Sequence, residues 1–394
     1  MFIVPRLLLL PMQPWLSDDA PRYLWDAHVL LQGMNPYLLA PNAPELLPLR
    51  GMESALYAVL DYRDISSIYP PLAEMSFVCA VWCGKLVNPA WWAGFVVWKM
   101  LLVISEGIGI ACVYAVCRRL GFSPSGIVLY CCLPLPALEL AGQGHLDGLL
   151  AAPLGIVLYL FALFQKQEKP VFMLSCGIGL GVAMCGAIKI LPLVMVLPIM
   201  RYLAQKRDVV AFAGFLTACC FGLIVLCFPL LHDAAILQQF LLRARNNALS
   251  WQFNGGAYYA LCYVAAALHL REYWLWMPSA FAALRLGVIG VVSIFQKTSN
   301  EAVFTAILTS LSLVLLFAAK VHTWYFVPLL LVNTLVGWVW LPVLASGSLL
   351  SYAYYSVQPP REQYGVEMLV WGASVLVMVW ELWKRMKNVP KTAG

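Results

Sequence analysis

Charged residues are scarce in this chain. Of its 394 residues, 11% are Asp, Glu, Lys or Arg and 62% are hydrophobic, and the mean hydropathy is +0.80. A soluble domain carries about 25% charged residues, so the composition excludes a soluble fold. About 20 apolar residues in a helix cross a bilayer core, and apolar stretches near that length recur along the chain. The sequence therefore predicts a polytopic integral membrane protein.

The apolar stretches favour helices over strands. Strands of a membrane barrel alternate apolar and polar residues, and runs such as GIVLYCCLPLPAL, which begins at Gly126, do not alternate. We therefore predict an all-α single domain of about ten to twelve transmembrane or half-spanning helices. The apolar stretches cover residues 124–138, 149–165, 171–188, 209–231, 274–295, 302–319, 326–343 and 367–380.

Cysteine pairs with metal-ligand spacing and nucleotide-binding motifs are also absent. The twelve cysteines form no CxxC pair, and most lie inside apolar runs, as Cys131, Cys132 and Cys219 do. There is no P-loop, no GxGxxG after a strand and no HExxH. We predict no metal ligands among the site residues and no nucleic-acid partner. Dependence on a divalent cation stays open.

Basic clusters mark the predicted cytoplasmic face by the positive-inside rule. These clusters are Arg118–Arg119, Lys166 with Lys169, Arg201 with Lys206 and Arg207, Lys297, and Lys384 with Arg385 and Lys387. The remaining loops then fall on the outer face, at residues 15–70, 144–147, 232–256, 320–325 and 358–364. The predicted organisation is an extracytoplasmic first loop (15–70), a helical bundle (71–383) and a cytoplasmic basic tail (384–394).

Three segments fit this topology poorly. Residues 72–117 hold a short and a long apolar run, so one of them is predicted to be a half-helix unless Arg118–Arg119 is an exception to the rule. Residues 171–200 must leave the cytoplasmic face and return to it within 30 residues, which predicts two short helices meeting near Lys189 and Pro192. The N-terminal FIVPRLLLLPM is too short to span, so it lies in the interface or belongs to an incomplete helix.

The predicted first loop concentrates acidic residues. It holds seven of the nineteen acids and three arginines: Asp18, Asp19, Asp26, Glu45, Glu53, Asp61, Asp64, Arg22, Arg50 and Arg63. Its prolines favour short interfacial helices, and a long loop of this kind is usually functional or disordered. The aromatic residues and the apolar LWDAHVLLQG stretch argue against disorder, so we expect residues 15–70 to be functional.

Asp18 and Asp19 stand side by side at the start of a predicted helix, 18–30. On that helix Asp19, Arg22 or Tyr23, and Asp26 share one face. Adjacent carboxylates repel each other, and desolvation raises the pKa of at least one of them. This favours a proton-accepting or cation-binding role. The alternative is a solvated loop in which an aspartate caps the helix.

Four charged residues lie within or beside apolar stretches, namely Glu106, Glu139, Asp147 and Lys189. A charge there costs about 2.5 to 3.5 kcal/mol on insertion scales and usually lines a polar cavity. Lys189 is suited to hold a phosphate, with snorkelling to an interface as the alternative. His145, two residues before Asp147, either shares that cavity or is a boundary histidine without a role.

Cations also occur in loops predicted to be extracytoplasmic. Arg243 and Arg245 lie in the 232–256 loop, and Lys320 opens KVHTWYF. An anionic ligand explains them, because Arg offers bidentate contacts to phosphate and Lys a point charge. Anionic lipid headgroups are the alternative. Trp324 and Tyr325 suit either a ligand site or an aromatic belt.

Seven motifs together resemble one family. In chain order they are SDDAPRYLWDA (17–27), GMNPYLLAP (33–41), IYPPLAE (68–74), GHLDGLL (144–150), KILPLVMVLP (189–198), FNGGAYYAL (253–261) and KVHTWYF (320–326). The chain is similar to the integral-membrane GT-C glycosyltransferases that use polyprenyl-phosphate sugars, above all the bacterial polyprenyl-phosphate-mannose-dependent mannosyltransferases. It departs from the family pattern at Pro21, Ala27 and Thr323.

The resemblance implies transfer of a hexose, mannose first, from a polyprenyl-phosphate donor to a glycolipid or glycan acceptor, with inversion at the anomeric carbon. It places the site on the extracytoplasmic face of a bacterial inner membrane and makes Asp18 or Asp19 the general base. The implied donor-phosphate-binding residues are Arg22, Lys189, Arg243, Lys320 and His322. The implied acceptor- or sugar-binding residues are Asp26, Tyr69, His145, Asp147, Asn254, Trp324 and Tyr325.

Two other functions are compatible with the composition. In a transporter or lipid flippase, the intramembrane residues Glu106, Glu139 and Lys189 would line the pathway. In a non-catalytic partner of an envelope complex, the polar first loop would serve assembly. Substrate movement without chemical change would indicate the first, and co-purification without activity the second.

Overall fold

The computed structural model describes residues 2–166, 171–249, 252–297, 299–356 and 363–387. These residues form helices, turns and one isolated bridge between Phe253 and Lys320. Six of the helices are long and apolar enough to cross a membrane, and Ser125–Cys132 with Pro134–Gly142 forms a further candidate span bent by 55°. The predicted all-α, polytopic membrane fold is confirmed.

The N-terminal third begins with short helices. They are α1 (Ile3–Leu9), α2 (Asp19–Leu31), α3 (Leu47–Met52) and α4 (Ser54–Ala58). Residues 15–70 therefore contain the short helices that their prolines predicted, and α2 is the longest of them. Leu24 and Trp25, each 0% exposed, lie near the middle of α2 and anchor it against the bundle.

The bundle contains sixteen further α-helices in the described residues. They are α5 (Pro71–Val87), α6 (Trp91–Leu120), α7 (Ser125–Cys132), α8 (Pro134–Pro136), α9 (Ala151–Lys166), α10 (Val171–Ile188), α11 (Val196–Gln205), α12 (Val209–Leu226), α13 (Phe228–Leu231), α14 (Ala234–Leu249), α15 (Gly256–Ala267), α16 (Tyr273–Ile294), α17 (Asn300–Leu316), α18 (Phe326–Val336), α19 (Trp340–Ser348) and α20 (Tyr364–Lys387). A π-helical turn, Ala137–Gly142, precedes the 3-10 turn Leu146–Leu150.

The two apolar runs in residues 72–117 form a tight helical hairpin. The first is the 17-residue helix α5 and the second the 30-residue helix α6. A Cβ atom on Gly84 would lie 2.4 Å from the backbone nitrogen of Gly94, so only glycine permits this close crossing. The shorter run spans about 25 Å at 1.5 Å per residue, which makes it longer than a half-helix.

The helix break predicted near Lys189 is present. Helix α10 ends at Ile188, a 3-10 turn covers Leu191–Met195, and α11 follows. Pro192 stands in the turn because proline lacks the N–H that a continued helix requires. The prediction of two short helices was wrong for the first, since α10 has 18 residues and meets the length of a span.

An internal ion pair fixes the N-terminal helix to the bundle. Arg6 donates to both carboxylate oxygens of Glu106, at 2.7 and 2.6 Å, and both side chains are 0% exposed. The hydroxyl of Tyr130 donates to the same carboxylate at 3.0 Å. Glu106 is therefore neutralised inside the bundle, and the polar cavity predicted around it is replaced by a salt bridge.

Three predicted features fall partly or wholly outside the described residues. Lys169 and residues 388–394 lie outside them, as does most of the 358–364 loop. Within them, Lys384–Lys387 continue helix α20, so the predicted basic tail begins as the end of a helix.

Candidate functional site

Two polar cavities meet at the N-terminus of α2. The larger has a volume of about 380 Å³ and the smaller about 310 Å³. They share the lining residues Asp19, Ile68, Tyr69, Asn247, His322 and Trp324. Segments that are far apart in the chain supply these walls, so the tertiary fold brings together the acidic first loop and the late KVHTWYF motif.

The two predicted catalytic acids occupy different positions. Asp19 lines both cavities, whereas Asp18 lines only the smaller one. Asp18 occupies the N-cap position of α2 but its side chain accepts no capping hydrogen bond, so the simple capping role is not realised. The hydroxyl of Tyr23 donates to Asp19 Oδ2 at 3.3 Å. Both carboxyl groups thus face the polar space rather than the helix backbone.

The environment makes both carboxyl groups weaker acids. Burial, and then repulsion from Asp19, raises the pKa of Asp18 to about 7. Burial also raises the pKa of Asp19, and the nearby Lys320 and Tyr23 oppose that rise. At least one proton can therefore reside on the pair near neutral pH, which is the property expected of a proton acceptor.

Lys189 reaches the larger cavity from the break after α10. Its Nζ donates to both carboxylate oxygens of Asp147, each at 2.8 Å, and lies 3.7 Å from the ring centre of Tyr325. The Lys189 side chain is 21% exposed. It is thus held at the cavity by Asp147, and it does not extend to an interface as the snorkelling alternative required.

Further cations line the cavities. Lys320 lines the larger one, where its Nζ donates to the backbone and side-chain oxygens of Asn247, both at 2.8 Å. Burial lowers the pKa of Lys320 to about 8. Arg22 and Arg243 line the smaller cavity, and Arg22 donates to Asp26 at 2.8 Å. The site therefore holds positive charge on both sides of Asp19.

A column of stacked rings forms one wall. The ring of Trp324 lies between His145, at 3.5 Å, and His322, at 4.2 Å, and Phe253 stacks on the far face of His322 at 5.0 Å. The backbone pairing of Phe253 with Ala319 and Val321 holds the column in register. Trp324 is 7% exposed, so it belongs to this wall rather than to an aromatic belt.

Three predicted binding residues lie behind the walls rather than on them. Asp26 pairs with Arg22, and Asn254 donates to the Val321 carbonyl and accepts from Trp371. His145 is 0% exposed. The other predicted residues line at least one cavity: Asp18, Asp19, Arg22, Tyr69, Asp147, Lys189, Arg243, Lys320, His322, Trp324 and Tyr325.

Sequence reasoning missed several lining residues. Asn247 and Arg285 line the larger cavity, and Asp61, Tyr62 and Tyr355 line the smaller one. Arg285 interrupts an apolar stretch, so the rule that identified Lys189 also applies to it. Tyr62 and Tyr355 carried no such signal, because tyrosines are common throughout this chain.

No group of three or more His, Cys, Asp or Glu side chains arranged to hold a metal ion occurs in the described residues. The side chains that line the cavities place carboxyl groups beside fixed cations. No protein-family model matches this chain, and no curated protein matches it.

Proposed function

We propose that this protein is a membrane glycosyltransferase of the GT-C type. It transfers a hexose, mannose in the first instance, from a polyprenyl-phosphate donor to a glycolipid or glycan acceptor. The observation that carries the proposal is the meeting of Asp19 with Lys189 and Lys320 around one cavity. A base next to clustered cations suits a reaction in which a hydroxyl loses a proton while a phosphate leaves.

The larger cavity suits the donor. Lys189, Arg285 and Lys320 line it, and cations placed at a leaving phosphate stabilise the negative charge that develops as the glycosidic bond breaks. Lys189 is already paired with Asp147, so the donor phosphate shares this lysine with the carboxylate. Lys320 also acts on the base, because its positive charge opposes the rise in the pKa of Asp19 that burial causes.

The smaller cavity suits the acceptor. Asp19 is common to both cavities, so a hydroxyl bound in the smaller one can give its proton to Asp19 while it attacks a sugar held in the larger one. Attack from the side opposite the phosphate inverts the anomeric carbon. This assigns the base to Asp19, and it leaves Asp18, with Asp61 and Tyr62, to contact the acceptor.

The helix directions support an extracytoplasmic site. The segment that begins beside Asp147 ends at Lys166, and α16 passes the cavity at Pro278 before Lys297 follows its far end. These basic residues thus lie at helix ends remote from the cavities. By the positive-inside rule those ends are cytoplasmic, so the cavities open to the other side.

The test is a direct transfer assay. Purified protein is incubated with polyprenyl-phosphate-mannose and a membrane lipid extract, and mass spectrometry measures a hexose added to a lipid or glycan. We expect a hexose-shifted product with wild-type protein and none with Asp19→Asn. Absence of product across donor sugars and acceptor extracts would contradict the proposal.

The transporter or flippase alternative has weaker support. Its proposed pathway requires Glu106, Glu139 and Lys189 along one route, but Glu106 is enclosed in its ion pair with Arg6 while Lys189 lines the cavity. Movement of the polyprenyl lipid across proteoliposomes without loss of its sugar would favour transport instead.

A further inference from the structure

A line of titratable groups leads from Asp19 into the protein interior. Nδ1 of His145 lies 3.8 Å from Asp19 Oδ2, and Nε2 of the same ring lies 3.3 Å from Glu139 Oε2. His145 and Glu139 are both 0% exposed. The imidazole therefore lies between the Asp19 carboxyl group, which lines the cavity, and the Glu139 carboxyl group, which is fully buried.

The far end of this line is firmly held. The hydroxyl of Tyr352 donates to both oxygens of Glu139, at 3.1 and 3.0 Å. Thr323 in turn donates to the Tyr352 hydroxyl at 3.1 Å. Thr323 belongs to the KVHTWYF segment, which also carries His322 and Trp324 of the ring column, so this segment and Tyr352 together fix Glu139.

The local backbone is built to place His145 over Glu139. The π-helical turn Ala137–Gly142 widens the helix at Glu139, and the backbone N–H of His145 donates to the Glu139 carbonyl at 2.9 Å. Gly144 adopts a φ of +78°, and a Cβ there would lie 2.7 Å from the Phe95 ring. Single-turn π-helical insertions recur at functional sites.

Packing fixes the orientation of the His145 ring, but its two nitrogens lack hydrogen-bond partners of good geometry in the described residues. The imidazole stacks on Trp324 with the ring planes 9° apart. Buried polar atoms are normally satisfied, and exceptions call for an explanation. A ring that gains and loses a proton during turnover is such an explanation, because catalytic hydrogen bonds often tighten only when substrate is bound.

We propose that His145 and Glu139 form a proton relay behind the base Asp19. The acceptor O–H bond breaks and its proton passes to the Asp19 carboxylate. Asp19 then passes the proton to Nδ1 of His145, while the Nε2–H donates to Glu139. On product release the proton returns through Asp19 to solvent, so His145 ends neutral and Asp19 ionised.

This inference rests on the proposed transfer reaction, and it makes His145 a positioning residue that acts through Asp19. Its value is that Asp19 is regenerated as a carboxylate before the product leaves. Burial and the positive charge of Lys189 lower the pKa of His145, so the imidazole is neutral at rest and returns its proton readily to Asp19. Glu139 and the stacked Trp324 face favour the transient imidazolium. The charged and titratable groups around His145 are Asp19 from α2, Glu139 from the π-helical turn, Lys189 after α10 and His322 across Trp324.

The test compares pH profiles of kcat/KM for hexose transfer in wild type and in His145→Asn. We expect kcat to fall by about 10- to 100-fold with donor KM nearly unchanged, since general acid–base groups contribute about 10² to 10⁴-fold. We also expect the acid limb to move to lower pH, because protonated Asp19 loses the ring nitrogen that accepts its hydrogen bond. Glu139→Gln should lower kcat in the same direction, and it serves if His145→Asn does not fold.

The matched control is His28→Asn. His28 is 2% exposed and lies 2.9 Å from the Glu53 carboxylate, but it lines neither cavity. It should leave the profile unchanged. An active wild type whose profile keeps its shape in both His145→Asn and Glu139→Gln, whatever the overall rate, would overturn the relay and leave the proposed function standing. A wild type without transferase activity would overturn both.

Discussion

Lys189 and Asp147, 42 residues apart, form an ion pair at the wall of the larger cavity, with Nζ 2.8 Å from each carboxylate oxygen. The lysine follows the break after α10, and the aspartate lies in the 3-10 turn before α9. One is therefore held by a helix that ends at the cavity and the other by a helix that begins there. The pair fixes a cation at the mouth of the site without leaving either charge unpaired.

Removing both members of this pair should impair donor binding more than folding. Lys189→Met alone leaves the buried Asp147 carboxylate uncompensated, which is the costly change in a buried pair. The double variant Lys189→Met/Asp147→Asn leaves no unpaired charge. We expect it to raise the donor KM about tenfold or more, because a hydrogen bond to a charged group contributes about 1.5 to 3 kcal/mol.

The control for this pair is the double variant Lys85→Met/Glu53→Gln. Lys85 lies 3.4 Å from Glu53 in an ion pair outside both cavities. Its donor KM should match wild type. An unchanged KM in Lys189→Met/Asp147→Asn would exclude Lys189 from donor binding.

The two acids should differ in their effect on catalysis. Asp19 lines both cavities and Asp18 only the smaller one, so Asp19→Asn should lower kcat by about 10² to 10⁴-fold, as expected for loss of a general base. Asp18→Asn should act mainly on the acceptor KM. Single-turnover transfer with saturating acceptor separates the two effects. A larger loss of kcat in Asp18→Asn would reassign the base.

Asp18 should also make stability depend on pH. Its pKa rises from 3.8 to about 7 on folding, so the folded protein binds more protons than the unfolded chain between these values. Stability contributed by the protonated carboxyl is therefore lost as pH rises through this window. The asparagine in Asp18→Asn cannot ionise, so this variant does not lose that stability. Its melting temperature minus that of wild type should therefore increase from pH 4 to pH 7 and then level off.

The measurement for this prediction is thermal unfolding in detergent at a series of pH values. Asp233→Asn is the control, because Asp233 is exposed at the start of α14. A constant difference between Asp18→Asn and wild type from pH 4 to pH 8 would contradict the pKa assigned to Asp18.

The buried pair of Arg6 and Glu106 should be structural. Glu106→Gln leaves the guanidinium of Arg6 without its counter-charge and should destabilise the fold by about 3 to 5 kcal/mol. The double variant Arg6→Met/Glu106→Gln should recover much of that loss. Chemical unfolding of wild type and the two variants gives the comparison. If Glu106→Gln is as stable as wild type, the ion pair is not structural, and Glu106 can again belong to a transport pathway.

Local features of the sequence determined the class of fold and part of the site. Apolar runs of about 20 residues have few stable states other than membrane helices, so the composition alone excluded a soluble protein. The i, i+4 spacing of Arg22 and Asp26 placed them on one face of α2, and they form an ion pair there. Pro192 marked the helix break because its ring cannot continue the hydrogen-bond ladder.

Most of the site residues identified from the motifs line the cavities, but the order of the motifs did not divide them into two spaces. Of the two adjacent acids, only Asp19 reaches both cavities, while Asp18 reaches one. Adjacent residues on a helix point about 100° apart, yet which of them faces which space depends on the helices packed around α2.

Only the tertiary structure decided how the distant parts meet. Glu139 and Tyr352 are 213 residues apart, and Asp19 and His145 are 126 residues apart. No periodicity records such contacts, because hydropathy in a membrane helix indicates depth and lipid exposure but not the identity of the neighbouring helix. Pairing between helices is set by the shapes of their small and large residues across the interface, and those shapes act only once the whole bundle is assembled.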